Sequence, residues 1–149
     1  MWKKTYSTII KNVQKDDVWR VWTDVNNWPT WHNDLEYCKI NGAFEKGNHF
    51  ILKPKGASAI KIILTDINPG HSFTDCTNFF GAKMYDTHTI EETKDGLLLT
   101  NTLIVTGPLK WIWIKLVAQN VASTVPNDMK ALIHLIQTTT MNLKGSHHV

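Results

Sequence analysis

The sequence predicts an α+β fold: a curved, seven-stranded antiparallel sheet wrapped around one long C-terminal helix, with two short helices after the first strand. Three observations lead there. Six stretches between residues 35 and 105 alternate with a period of two, as half-buried strands do. The links between them are only a few residues long, which permits hairpins and excludes parallel crossovers. Residues 109–137 then switch to helical spacing.

Residues 2–12, WKKTYSTIIKN, read as the first strand. Asp16 or Asp17 caps a helix through DVWRVWTDV, because a short carboxylate accepts from the free N–H groups of a helix start. Val18, Trp19, Val21 and Trp22 fall near helical spacing there, and Asn26-Asn27 ends it. Pro29 suits the first turn of a second short helix. Trp28 and Trp31 share one of its faces and are expected to pack helix against sheet. His32 is expected as an exposed loop residue at the rim.

The six strand candidates are 35–42, 48–55, 58–67, 72–80, 83–92 and 97–105. Gly42, Lys55-Gly56, Asn68-Pro69-Gly70, Gly81 and Lys94-Asp95-Gly96 punctuate them. Gly107-Pro108 ends the last. The long helix carries an apolar stripe of Trp113, Leu116, Val117, Val121, Val125, Met129, Leu132, Ile133 and Ile136. Pro126 falls inside it and predicts a kink or short break near 124–127. One domain is expected over 1–143, with a flexible tail at 144–149.

Composition narrows the function classes. The formal charge is +3, and Arg20 is the only arginine. Nucleic-acid readers rely on arginine forks, and these lysines are scattered, so no nucleic-acid partner is expected. Cys38 and Cys76 form no CxxC and read as buried thiols. Nothing approaches the ~18 apolar residues of a membrane helix, and the N-terminus lacks a signal-peptide core. The expected setting is the cytoplasm, as a monomer or weak homodimer. No HxxxH, GxGxxG or GxxxxGK occurs, so no metal site and no phosphate-cradling glycine loop are expected. Of Trp111 and Trp113, the stripe turns Trp113 inward. Trp111 is then half exposed, which marks a cavity lid, a membrane-touching spot or a dimer contact.

One stretch is out of keeping with a plain core. KMYDTHTIEE alternates, and its inner face holds Met84, Asp86, His88 and Ile90. The same parity gives Phe73 and Asp75 on the preceding strand, and Leu99, Asn101 and Leu103 on the following one. On the long helix Asn120 and Thr124 sit within the stripe. A buried unpaired polar group costs ~1–3 kcal/mol, whereas a pocket uses a few polar groups to orient an apolar ligand. The inner face therefore reads as pocket lining. Phe50, Leu52, Ile62 and Leu64 complete it from the sheet, with Trp113, Val117 and Val121 from the helix.

Four segments, VWRVWTDVNNWPTWH, ILTDINPGHSF, THTIEETKDGLLLTNTLIVTGPL and VPNDMKALIHLIQ, together with the element order, resemble the START-like, helix-grip superfamily, also called SRPBCC. Within this birch-pollen-allergen-like group the likeness is to the polyketide cyclase/dehydrase-like branch. The resemblance implies a deep cavity between sheet and C-terminal helix and usually no cofactor. The leading expectation is binding, or transport, of a small hydrophobic or aromatic molecule. The alternative is a cyclase, dehydratase or isomerase in which His88 moves protons and Asp86 orients it, since a carboxylate beside an imidazole raises its pKa. A third reading is an interaction module with a filled cavity.

Overall fold

Seven strands form one sheet: β1 (Trp2–Ile10), β2 (Leu35–Ile40), β3 (His49–Pro54), β4 (Ile60–Asn68), β5 (Ser72–Phe79), β6 (Ala82–Thr93) and β7 (Gly96–Thr106). The structure, a computed structural model, describes residues 1–146 and the side chains of residues 1–139. Every neighbouring pair is antiparallel, in the order β1-β7-β6-β5-β4-β3-β2. β2 to β7 form a continuous meander, and β1 pairs beside β7 at the far edge. All seven predicted strands are present. β1 stops at Ile10, short of the expected residue 12, because Asn12 takes φ 62° and turns the chain.

Helix α1 (Lys15–Thr23) starts earlier than expected. Its cap is Gln14, whose backbone N–H donates to the Asp17 carboxylate at 3.2 Å. A 3-10 turn follows over Val25–Thr30 and contains Pro29. Two bonds fasten it. Trp28 Nε1 donates to the Trp22 carbonyl at 3.2 Å, and the Ile40 N–H donates to Asn26 Oδ1 at 2.9 Å. The Trp28 ring meets Phe50 edge-on at 5.2 Å, so this tryptophan does pack the short helices onto the sheet.

The C-terminal helix differs from expectation. It begins as α2 (Lys110–Trp113), passes through a π-turn at Ile114–Ala118, and continues as α3 (Gln119–Ser146). No break occurs at Pro126; the departure from α geometry lies earlier, at the π-turn. A π-turn holds one extra residue and so rotates the following face by roughly 100°. Leu116 thereby leaves the predicted stripe and is exposed, while Ile114 and Ala118 are buried in its place. Asn120, expected to line the cavity, is exposed for the same reason. The expected tail at 144–149 is helical to Ser146, and residues 147–149 lie outside the described residues.

The core divides in two. The first cluster joins Val18, Trp22, Val25 and Trp28 to Phe50, Leu64, Phe73 and Leu99, closed by Val125, Met129, Leu132 and Ile136 of α3. The second joins Ala82, Met84, Leu103 and Val105 to Ile114 and Ala118 at the start of the long helix.

Candidate functional site

A polar band separates these two clusters on the inner face of the sheet. Along β7 the inward residues run Leu97, Leu99, Asn101, Leu103, Val105. Along β6 they run Ile90, His88, Asp86, Met84, and along β5 Phe73, Asp75, Thr77. Asp75 stands opposite Asp86 and His88 opposite Asn101. Opposed residues of an antiparallel pair share a face and lie close enough to bond. Alternation and pairing thus put four polar side chains from three strands in one place.

The bonding within the band is specific. Asn101 Nδ2 donates to Asp86 Oδ1 at 2.6 Å and lies 3.3 Å from His88 Nδ1. His88 Nε2 lies 3.3 Å from the same Asp86 Oδ1. Its ring stacks on Phe73 at 4.5 Å and 19°, with Trp22 at 5.4 Å on another side. Asn101 and Asp75 are buried. Asp86 and His88 keep 19% and 23% of their side-chain surface accessible, although both point inward from an interior strand. A solvent-reachable space therefore lies against these two side chains.

The charges follow from this packing. Burial, reinforced by the Asp86 charge and only partly offset by His88, raises Asp75 well above the usual carboxylate range, so it favours its protonated form. For His88, burial pushes the pKa down, but the Asp86 charge and bond outweigh it and the net shift is upward. The Asn101 N–H facing Nδ1 opposes that shift, since it needs an unprotonated nitrogen. At 3.3 Å this is a long contact to a neutral group. The bonded carboxylate dominates, and protonating the ring displaces one Asn101 N–H.

The remaining predicted residues divide by accessibility. Phe50, Ile62, Leu64, Phe73 and Leu99 are buried in the first cluster, and Met84 and Leu103 in the second. All seven are packed core. Leu52, Trp113, Val117, Val121 and Thr124 are half-buried. Thr124 offers little polarity, because its hydroxyl donates to the Val121 carbonyl at 2.8 Å. Tyr6, Thr77 and Trp22 belong to the neighbourhood but were not among the predicted lining. Tyr6 pairs directly with Asn101. Only the β1–β7 register could have revealed it.

His32 is not the exposed loop residue expected. Its Nε2 lies 3.1 Å from Asp128 Oδ2 and ties the rim to α3, while its Nδ1 is buried without a partner. Among the described residues, two sets have ligand atoms within 4.8 Å of one another: Asp75, Asp86 and His88, and His32, Asp34 and Asp128. In the inner set Asp86 Oδ1 already contacts His88 Nε2 and Asn101 Nδ2. In the outer set Asp34 is exposed.

Two concavities open elsewhere. One of about 570 Å³ lies between the Ile10–Asp16 stretch and the β6–β7 turn. The other, of about 390 Å³, lies at the β5–β6 turn and Gly107-Pro108. Neither touches Asp86 or His88, and both lie on strand ends and loops. The convergent polar groups are in the band, so the candidate site is placed there.

Residues 1–135 match the family described as polyketide cyclase / dehydrase and lipid transport. The chain belongs to that family. No curated protein matches this polyketide cyclase/dehydrase and lipid transport family member in sequence. Solved structures share its fold at low identity. A Mesorhizobium loti protein has a TM-score of 0.73 at 14% identity, covering 93% of this chain and 98% of its own. Norcoclaurine synthase from Thalictrum flavum, in complex with dopamine and hydroxybenzaldehyde, has a TM-score of 0.67 at 15% identity, covering 92% of this chain and 88% of its own. A START superfamily protein from Mycobacterium smegmatis has a TM-score of 0.64 at 16% identity, covering 93% and 97%. The superfamily and the helix-grip architecture expected from the sequence are therefore shown, and the family fits ligand binding or cyclase-like roles. No described helix is long and apolar enough to cross a membrane.

Proposed function

We propose that the space beside the polar band binds a small, mostly apolar or aromatic molecule that carries a hydrogen-bond donor. The observation that carries this reading is the use of Asp86. Asn101 and His88 both contact its Oδ1. That leaves Oδ2 as the carboxylate oxygen available to an O–H or N–H arriving through the accessible space. Apolar walls on both sides would supply most of the affinity, at ~25 cal/mol per Å² buried. The band would supply orientation. Norcoclaurine synthase, whose structure holds hydroxylated aromatic molecules, is in keeping with this ligand class.

Proton-transfer chemistry of the cyclase, dehydratase or isomerase kind is the second reading, favoured by the imidazole beside a carboxylate. It has a specific obstacle. His88 Nε2 faces Asp86 and Nδ1 faces Asn101, so both ring nitrogens are engaged within the protein. A base needs a nitrogen within reach of the proton it takes. Binding is therefore the primary reading. Turnover would show as a pH–rate profile on a ketone or polyketide-like substrate that flattens in His88→Gln.

Native mass spectrometry before and after denaturation would reveal a retained ligand as extra mass that disappears. Titration with a matched pair, hydroxybenzaldehyde and methoxybenzaldehyde, then tests the donor. The hydroxy compound should bind more tightly, and Asp86→Asn should shrink the difference. Equal binding of the two, or no saturable binding of either, would sink the proposal.

A further inference from the structure

One end of the sheet gathers exposed apolar side chains together with lysines. β1 begins there, since Trp2 pairs with Val105, and β6 begins there, since Lys83 pairs with Thr106. The β5–β6 turn and the start of the long helix are bonded at the same end. The Leu109 N–H donates to the Gly81 carbonyl at 2.9 Å, and Trp113 Nε1 donates to the Phe80 carbonyl at 2.7 Å. Met1, Phe80, Trp111, Ile112 and Leu116 are all exposed here, Phe80 by 84% and Trp111 by 65%. Around them lie exposed Lys3, Lys4, Lys83 and Lys115, and half-buried Lys110, whose Nζ sits 5.5 Å from the centre of the Trp111 ring. The segments that build this end, residues 1–5, 78–85 and 101–118, contain no Asp or Glu. The acids cluster at the other end of β6, as Glu91, Glu92 and Asp95.

We propose that this end docks on anionic lipid bilayers, whatever the cavity holds. Phe80, Trp111, Ile112 and Leu116 would enter the headgroup region while the lysines face the anionic headgroups. Large apolar side chains exposed together mark an interaction site. Tryptophan with flanking lysine is the composition that sits at a membrane–water interface. Charge decides against a second copy of the chain. A two-fold contact would set this acid-free lysine cluster against itself. Nucleic acid is disfavoured because the centre of the patch is apolar and the chain has one arginine.

The test is co-sedimentation with phosphatidylcholine vesicles, with and without phosphatidylglycerol. Binding is expected only with phosphatidylglycerol and should fall as salt rises. Lys83→Gln with Lys115→Gln should weaken partitioning roughly fivefold per lysine. Trp111→Ser with Leu116→Ser should weaken it further. All four side chains are exposed, so unchanged melting curves are expected and separate docking from folding. If the serine pair melts early, the glutamine pair carries the test. Absence of binding to phosphatidylglycerol vesicles, or equal binding to phosphatidylcholine alone, would overturn the proposal. A dimer in sedimentation velocity that Trp111→Ser dissolves, without vesicle binding, would reassign the patch to self-association.

Discussion

Asn101 donates to Asp86 Oδ1 at 2.6 Å while the same amide nitrogen lies 3.3 Å from His88 Nδ1. One buried side chain on β7 therefore positions two polar groups on β6. The carboxylate also fixes which way the amide points, since a carboxylate oxygen accepts and only the nitrogen can donate.

Asn101→Leu removes this brace. Asp86 can recover water through the accessible space, so the expected loss is about 1–3 kcal/mol. At ~2–4 °C per kcal/mol for a chain of this size, the melting temperature should fall by several degrees. The preference for hydroxybenzaldehyde over methoxybenzaldehyde should change more than the stability does. A collapse of stability with the preference intact would make Asn101 a member of the core network alone.

Stability should depend on pH in one direction through the band. His88 is raised in the fold, so its contribution is fully present below about 6.5 and is lost as pH rises through the folded value. Asp75 is raised as well. Its contribution is full below about 3.9 and is lost as pH rises through its own folded value. Asp75→Asn resembles the protonated acid and cannot ionise. Thermal melts should show it closest to the parent in acid and more stable than the parent above neutrality. A curve parallel to the parent at every pH would show that the fold does not favour protonated Asp75.

Both cysteines should be silent in the native state. Burial pushes the Cys38 thiol up to about 12, and burial also raises Cys76 despite nearby Lys83. The thiolate is the reactive species. Ellman's reagent at pH 8 should read no thiol until guanidinium unfolds the chain, and then two. Rapid native labelling of Cys38 would mean that the first cluster opens locally.

Gly107 should tolerate no side chain. Its φ is +112°, and a Cβ would lie 2.5 Å from the Gly81 carbonyl oxygen and 2.8 Å from Ala82 Cα. That oxygen is held by the Leu109 N–H, so it cannot give way. Gly107→Ala should cost more than about 3 kcal/mol, the sum of backbone strain and a backbone clash. Gly47→Ala is the control. Its φ is +94° with nothing within 4 Å, and it should cost only about 1–2 kcal/mol. Denaturant melts of the two variants would make the comparison, and equal losses would contradict the clash.

Local chemistry was legible in the sequence. Alternation over Met84–Ile90 and Leu97–Val105 located two strands and their inner faces, because the side-chain period of a strand is two. The same counting placed Asp75, Asp86, His88 and Asn101 on one face before any contact was known, and the element order with four local segments suggested the superfamily. Other features depend on sums over the whole chain. Leu116 and Asn120 fit a helical stripe by spacing, but a π-turn rotated them outward, and spacing cannot see one inserted residue in a turn. Tyr6 reached the band only through the β1–β7 register, which joins opposite ends of the chain. His32 found Asp128 ninety-six positions further along the chain. The bonds of Asn101 were likewise settled in three dimensions. Periodicity determines which face a residue takes, because that is a property of the local backbone. Which polar atoms meet, and which surface stays uncovered, is decided only when distant segments pack.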